Sequence, residues 1–222
     1  MSTPSPAQLP ESAFTFLSHG ATIQEFRVGG QNIVLGFPEA KFYKTHNAPY
    51  FGETIGRTTN RVKDARIEGL NGRSYELFKN DGRNCLHGGE YGWGKKEFEG
   101  PRPVNRDGKE GVMFRYLSRD GEEGYPGTVE VRVWYTAGHE EGKTVLDVEY
   151  EVQFVGAPGE EVEETVVGVT NHRFVLFFSS ILPYSGSDTD GAFHVTATSI
   201  STPHPPPSPA PKSHSARTNT SS

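Results

Sequence analysis

The chain has 222 residues, 33% of them hydrophobic, with 26 glycines, 16 prolines and a formal net charge of −6. That length accommodates one domain with a sizeable core, and the glycine and proline content argues for many short strands joined by turns, against a helical bundle. The acidic balance, without a long basic run, argues against nucleic-acid or anionic-membrane partners; a single cysteine, Cys85, leaves no intrachain disulfide and no cysteine zinc site.

In chain order, residues 1–11 are polar and proline-rich and predict a loose lead-in. They lack the basic and apolar regions of a secretory signal. No stretch approaches the ~18 apolar residues of a membrane helix, so a soluble cytoplasmic protein is expected. Short β-prone runs follow at 13–17, 23–28 and 32–37, broken by His19-Gly20 and Gly29-Gly30. Runs at 65–70 and 73–78 flank Asn71-Gly72, which predicts a hairpin through a type I′ turn, since both central residues then need positive φ. Further strands are expected at 112–117, 128–136, 145–154 and 165–170. In the 145–154 run Leu146, Val148, Tyr150, Val152 and Phe154 alternate with Asp147, Glu149, Glu151 and Gln153, one buried face against one wet face. Glu160, Glu161, Glu163 and Glu164 follow Ala157-Pro158-Gly159 and read as a solvated loop. No amphipathic helix and no internal repeat stands out. The predicted fold class is all-β, a large antiparallel β-sandwich over residues 12–182.

The character changes after His172. Residues 174–181 are an apolar run without alternation, and from Ser201 the chain is mostly Ser, Thr, Pro and His with almost no apolar content. Such a segment buries too little surface to offset its ordering entropy, so 183–222 is expected to be disordered. Within it, Asp188-Thr189-Asp190-Gly191 is like part of a calcium loop but lacks the later Glu, and Asn219-Thr220-Ser221 is a glycosylation pattern with no signal peptide to match. No metal and no cofactor is expected.

Four motifs carry chemistry. Gly56-Arg57-Thr58-Thr59-Asn60-Arg61 places two guanidinium forks and an amide on a turn, where they suit either sugar hydroxyls or a structural ion pair. In Asn84-Cys85-Leu86-His87-Gly88-Gly89 a histidine precedes two glycines, which allow backbone to approach a ligand closely or make a turn. Tyr91 and Trp93 follow, as stacking surfaces or as core. Asp120-Gly121-Glu122-Glu123-Gly124-Tyr125-Pro126-Gly127 reads alone as a loop with solvated glutamates. Thr170-Asn171-His172 ends a strand with an imidazole able to titrate near neutrality and act as a general acid.

Taken together and in this order, FGETIGRTTNR, NCLHGG, DGEEGYPG and VTNH resemble the N-terminal half of the aldose 1-epimerase (galactose mutarotase) family, over about residues 13–172. The resemblance implies a large antiparallel β-sandwich acting without a cofactor on small free aldohexoses such as galactose and glucose. It implies that Asn60, Arg61 and His87 bind sugar hydroxyls and that His172 donates a proton to the ring oxygen. A carboxylate would remove the anomeric proton, the C1–C2 bond would rotate, and the ring would reclose from the other face. After TNH the family continues Ser-Tyr-Phe-Asn-Leu, whereas Arg173-Phe174-Val175-Leu176-Phe177 stands here. Nothing later matches the family's sugar-binding Asp or its catalytic Glu. The expectation is a truncated sandwich whose residues from about 173 are not a natural continuation, as a retained intron, frameshift or wrong gene model would produce. Impaired activity follows, as do poor solubility or self-association through uncovered edges. The alternatives are a sugar-binding pseudoenzyme and a non-functional fragment.

Overall fold

The computed structural model describes residues 14–28, 31–46, 49–140, 143–156, 162–172, 192–196 and 200–201. The expected lead-in, Glu160, Glu161 and most of the 183–222 segment lie outside the described residues.

Strands β1 (Phe14–Leu17), β2 (Thr22–Val28) and β3 (Gln31–Asn32) form a three-stranded antiparallel sheet. The strand expected over 32–37 stops at Asn32. The Asn32 side chain accepts hydrogen bonds from the Phe26 and Val34 N–H groups, taking the place of ladder partners. A six-residue helix, α1 (Ala40–Thr45), follows; it is too short to leave an amphipathic signature.

The next elements are short ribbons. They are β4 (Glu53–Ile55), β5 (Arg61–Val62), β6 (Arg66–Leu70), β7 (Arg73–Glu76) and β8 (Cys85–Leu86). The Asn71-Gly72 hairpin forms as expected between β6 and β7, with φ of 51° and 70° at its two central residues.

The large sheet contains β9 (Glu99–Arg106), β10 (Lys109–Ser118), β11 (Val129–Glu140) and β12 (Lys143–Phe154), antiparallel in sequence order. Val131 opposes Val152, Val133 opposes Tyr150, and Tyr135 opposes Val148, so the alternating runs share one buried face. That face packs against the first sheet. Phe16 lies 4.7 Å from the Tyr135 ring and 6.3 Å from Phe114, and Ala21, Ile23, Phe26, Trp93 and Phe98 complete the core. Each large apolar side chain buried there contributes roughly 1.5–3 kcal/mol. The Tyr135 hydroxyl donates to the Ala21 carbonyl at 2.8 Å and ties the two layers.

The expected strand over 165–170 shrinks to β13 (Thr170–His172). Residues 163–168 are instead held by side chains and loops. Asn71 Oδ1 accepts from the Glu163 and Glu164 N–H groups, Thr165 Oγ1 donates to the Pro126 carbonyl, and the Gly168 N–H donates to the Arg57 carbonyl. Two strands inside the segment expected to lack order, β14 (Ala192–Thr196) and β15 (Ile200–Ser201), run parallel to β12. The remaining strand pairs among the described residues are antiparallel.

Candidate active site

Two short ladders bring the motifs together. In the first, β13 pairs with β4: Thr170 opposes Ile55, Asn171 opposes Thr54, and His172 opposes Glu53. The Gly52 N–H donates to the His172 carbonyl at 2.9 Å. Asn171 Nδ2 donates to the Gly52 carbonyl at 2.9 Å and reaches the Tyr135 hydroxyl at 3.2 Å. Asn171 therefore fastens the strand end to the sandwich core and leaves the histidine beyond it at a fixed height.

In the second ladder β5 pairs with β8, and His87 leaves β8 as Asn60 enters β5. The His87 N–H donates to the Asn60 carbonyl at 2.9 Å, and the Asn60 N–H donates back to His87 Nδ1 at 3.2 Å. Both residues hold left-handed φ, 54° at Asn60 and 52° at His87. Such backbone costs on the order of 1 kcal/mol or more and persists where surroundings enforce it. With a donor on Nδ1, the neutral His87 ring carries its proton on Nε2, so it presents a donor at its far edge.

The rings of His87 and His172 meet edge to face, centroids 5.1 Å apart at 78°. Tyr50 completes a triangle, 5.1 Å from His87 and 5.8 Å from His172. Burial pushes His87 down to about 4, and the neighbouring His172 and Arg61 add to that depression. Arg61 is half exposed; its Nε donates to Asp81 Oδ2 at 2.6 Å and one terminal nitrogen donates to Asn60 Oδ1 at 3.2 Å. The four residues singled out in the sequence thus fall into one neighbourhood. His87 and His172 touch, Asn60 bonds His87 through its backbone, and Arg61 bonds the Asn60 side chain.

The other motifs brace this arrangement. Arg57 is 1% exposed, and its guanidinium donates to the carbonyls of Pro126, Gly127 and Ser118 at 2.8, 2.7 and 3.2 Å, and to Ser118 Oγ at 2.6 Å. Burial lowers its pKa to about 10, against the pull of Glu122. Glu122 and Glu123, expected to be solvated, are engaged. Glu122 accepts from the Tyr116 hydroxyl at 2.6 Å and Ser118 Oγ at 2.9 Å, and Glu123 accepts from the Glu90 and Tyr91 N–H groups just past the His87 loop. The DGEEGYPG loop is therefore a clamp on the other two motifs. A Cβ on Gly88 would lie 1.9 Å from the Gly56 carbonyl oxygen, so the histidine loop and the arginine loop touch backbone to backbone. Trp93 is core, 1% exposed against Gly56, while Tyr91 is exposed.

Three residues of the neighbourhood escaped sequence reasoning: Tyr50, Glu53 and Lys95. Lys95 Nζ lies 2.8 Å from both Glu53 oxygens and 4.5 Å from the Tyr50 ring centroid. The Glu53 and Lys95 side chains are 1% and 5% exposed. Burial pushes the Glu53 carboxyl above the usual carboxylate range and the Lys95 ammonium below its own, while the pairing opposes both. Glu53 opens the three-residue strand Glu53-Thr54-Ile55, and no spacing connects it to Lys95. Among the described residues no group of three or more His, Cys, Asp or Glu is placed to hold a metal ion, and no helix is long and apolar enough to cross a membrane.

Solved structures of similar fold include two that are described as aldose epimerases. The chain matches the GalM/aldose epimerase homologue from C. elegans with a TM-score of 0.61 at 26% identity, over 75% of this chain and 48% of that one. It matches galactose 1-epimerase from Lactobacillus acidophilus with a TM-score of 0.51 at 25% identity, over 58% and 38%. The family model for aldose 1-epimerase matches residues 10–176. Among curated proteins, the bifunctional protein GAL10 of Pachysolen tannophilus is 39% identical over 160 residues, covering 71% of this chain and 23% of that protein. Galactose mutarotase of Sus scrofa is 37% identical over 163 residues, covering 71% and 42%. The chain belongs to the aldose 1-epimerase family. It spans less than half the length of these curated relatives.

Proposed function

We propose that the chain carries the acid side of an aldose 1-epimerase site, which interconverts the α and β anomers of a free aldohexose such as galactose or glucose. The observation that carries this reading is the edge-to-face contact of His87 and His172, two residues far apart in sequence delivered by separate ladders. His172 donates a proton to the ring oxygen as the ring opens. His87, held neutral, offers its Nε2 proton to an oxygen of the sugar, while Asn60 and Arg61 bind hydroxyls through amide and guanidinium. A carboxylate must take the anomeric proton on the other side.

The direct test follows the optical rotation of fresh α-D-galactose and α-D-glucose with the purified chain. His172→Ala should remove about 10²–10⁴-fold of any acceleration, the usual contribution of one acid–base group. An acceleration untouched by that change would sink the assignment.

A second reading is sugar binding without turnover. It is favoured by Glu53, the carboxylate opposite His172 in the ladder, because Lys95 occupies both of its oxygens. Saturable galactose binding in calorimetry, weakened by His87→Ala, with no acceleration of mutarotation, would support this reading over the first.

A further inference from the structure

We propose that Tyr50 is a positioning residue of this site: its ring sets the mutual geometry of His87 and His172, and the buried Lys95–Glu53 pair sets the ring. The inference rests on the epimerase reading for its meaning, though not for its test.

The Tyr50 ring contacts both histidine rings, at 5.1 Å and 76° to His87 and at 5.8 Å and 52° to His172. Removing it would take a ring contact from each imidazole at once. Its backbone is pinned as well. Tyr50 has φ of 63°, and its carbonyl accepts the Glu53 N–H at 3.2 Å, so a turn of four residues joins the ring to β4. β4 is the strand that receives His172. Tyr50 and His172 are therefore fixed to the same short ribbon, one through the turn and the other through the ladder.

Beneath the ring sits Lys95. A cation 4.5 Å from an aromatic centroid, shielded from water, holds that ring by its face. Glu53 fixes the cation from the other side with both oxygens at 2.8 Å. Space for that carboxylate exists because residue 94 is glycine: a Cβ there would lie 2.6 Å from Glu53 Oε2. The chain of contacts runs from the β4 backbone through Glu53 and Lys95 to Tyr50, and from Tyr50 to both histidines. The ring face and edge do this work, so the hydroxyl is dispensable and the aromatic plane is not.

The test uses the full chain and two readouts. In NMR, cross-relaxation between the His87 and His172 ring protons should be present in the wild type, kept in Tyr50→Phe and lost in Tyr50→Ala. If Tyr50→Ala does not fold, Tyr50→Leu takes its place, since it fills volume without a ring. Where the wild type accelerates mutarotation, Tyr50→Ala or Tyr50→Leu should lower kcat at least tenfold with KM within about threefold, and Tyr50→Phe should restore it. Histidine contacts that persist without the aromatic ring overturn the proposal, as does a loss that Tyr50→Phe fails to restore. A wild type without turnover, but with contacts that depend on the ring, would overturn the epimerase reading alone and leave Tyr50 in its role.

Discussion

His87 shows how a single side chain acquires a role from its surroundings. A backbone donor fixes its tautomer, and burial with two basic neighbours drives its pKa to about 4. An unfolded chain would take up that proton near the ordinary value of about 6.5. Between those two values the unfolded state binds a proton that the folded ring refuses. Stability therefore falls as pH drops through that window, and above it His87 imposes no such penalty. Urea denaturation near about pH 7 and near about pH 5 should show a larger loss for the wild type than for His87→Gln. Equal losses would mean that the ring is not held neutral. The histidines and the Asn60-Arg61 pair stood out in the sequence through the motifs they share with the family, and the fold brings them into one neighbourhood. Tyr50, Glu53 and Lys95 did not stand out, because their relation is purely spatial.

Among the elements, strands with alternation or a turn signal were legible, whereas β9, with prolines at 101 and 103, and the shortest ribbons were not. β10, β11 and β12 alternate over enough residues for a period to emerge, and the β6–β7 hairpin announces itself through Asn71-Gly72. β4, β5 and β8 have two or three residues each and can show no period, although they build the site. Between β4 and β5 stands Arg57, whose motif suited either sugar hydroxyls or a structural ion pair and which instead ties this region to the 118–127 segment. Its planar fork donates to the carbonyls of Pro126, Gly127, Ser118 and Arg119 and to the hydroxyls of Ser118 and Thr165. Arg57→Lys should fail almost as badly as Arg57→Ala, because an ammonium cannot match that spread of acceptors. The expected cost is about 3 kcal/mol or more, from several buried acceptors left without donors. Thermal denaturation of both variants checks this. A lysine variant within about 1 kcal/mol of wild type would show that charge alone suffices there.

Across the whole molecule, the outer face of the large sheet is a lattice of opposite charges. Arg106 meets Glu149 and Lys109 meets Asp147, both at 2.6 Å, while Arg132 meets Glu151 at 3.2 Å and also Glu130, which Arg115 shares. Burial alone would raise the Glu130 pKa, yet the two arginines hold it below the usual range. Exposed pairs contribute about 0.2–1 kcal/mol each and are screened by salt. Roughly 1 M sodium chloride should therefore lower the stability by about 1–3 kcal/mol, and Arg132→Gln should shrink that response. An unchanged or larger salt response in Arg132→Gln would count against the lattice. The paired layers of the sandwich followed from composition and alternation. The parallel pairing of β14 and β15 with β12 did not, since no local pattern encodes strand direction.

The ladder that seats His172 has a consequence in time. Asn171 bonds a residue 119 positions earlier in the chain. During synthesis at roughly 5–20 residues per second, the His87 loop and Tyr50 emerge several seconds before their partner exists. Until then that corner of the protein has two rings and no third. The corner cannot close on a nascent chain that has not yet exposed residue 172, however well its first half has folded. Its completion waits for residue 172, and ribosomes stalled well before and well after codon 172 would separate an early scaffold from a closed corner.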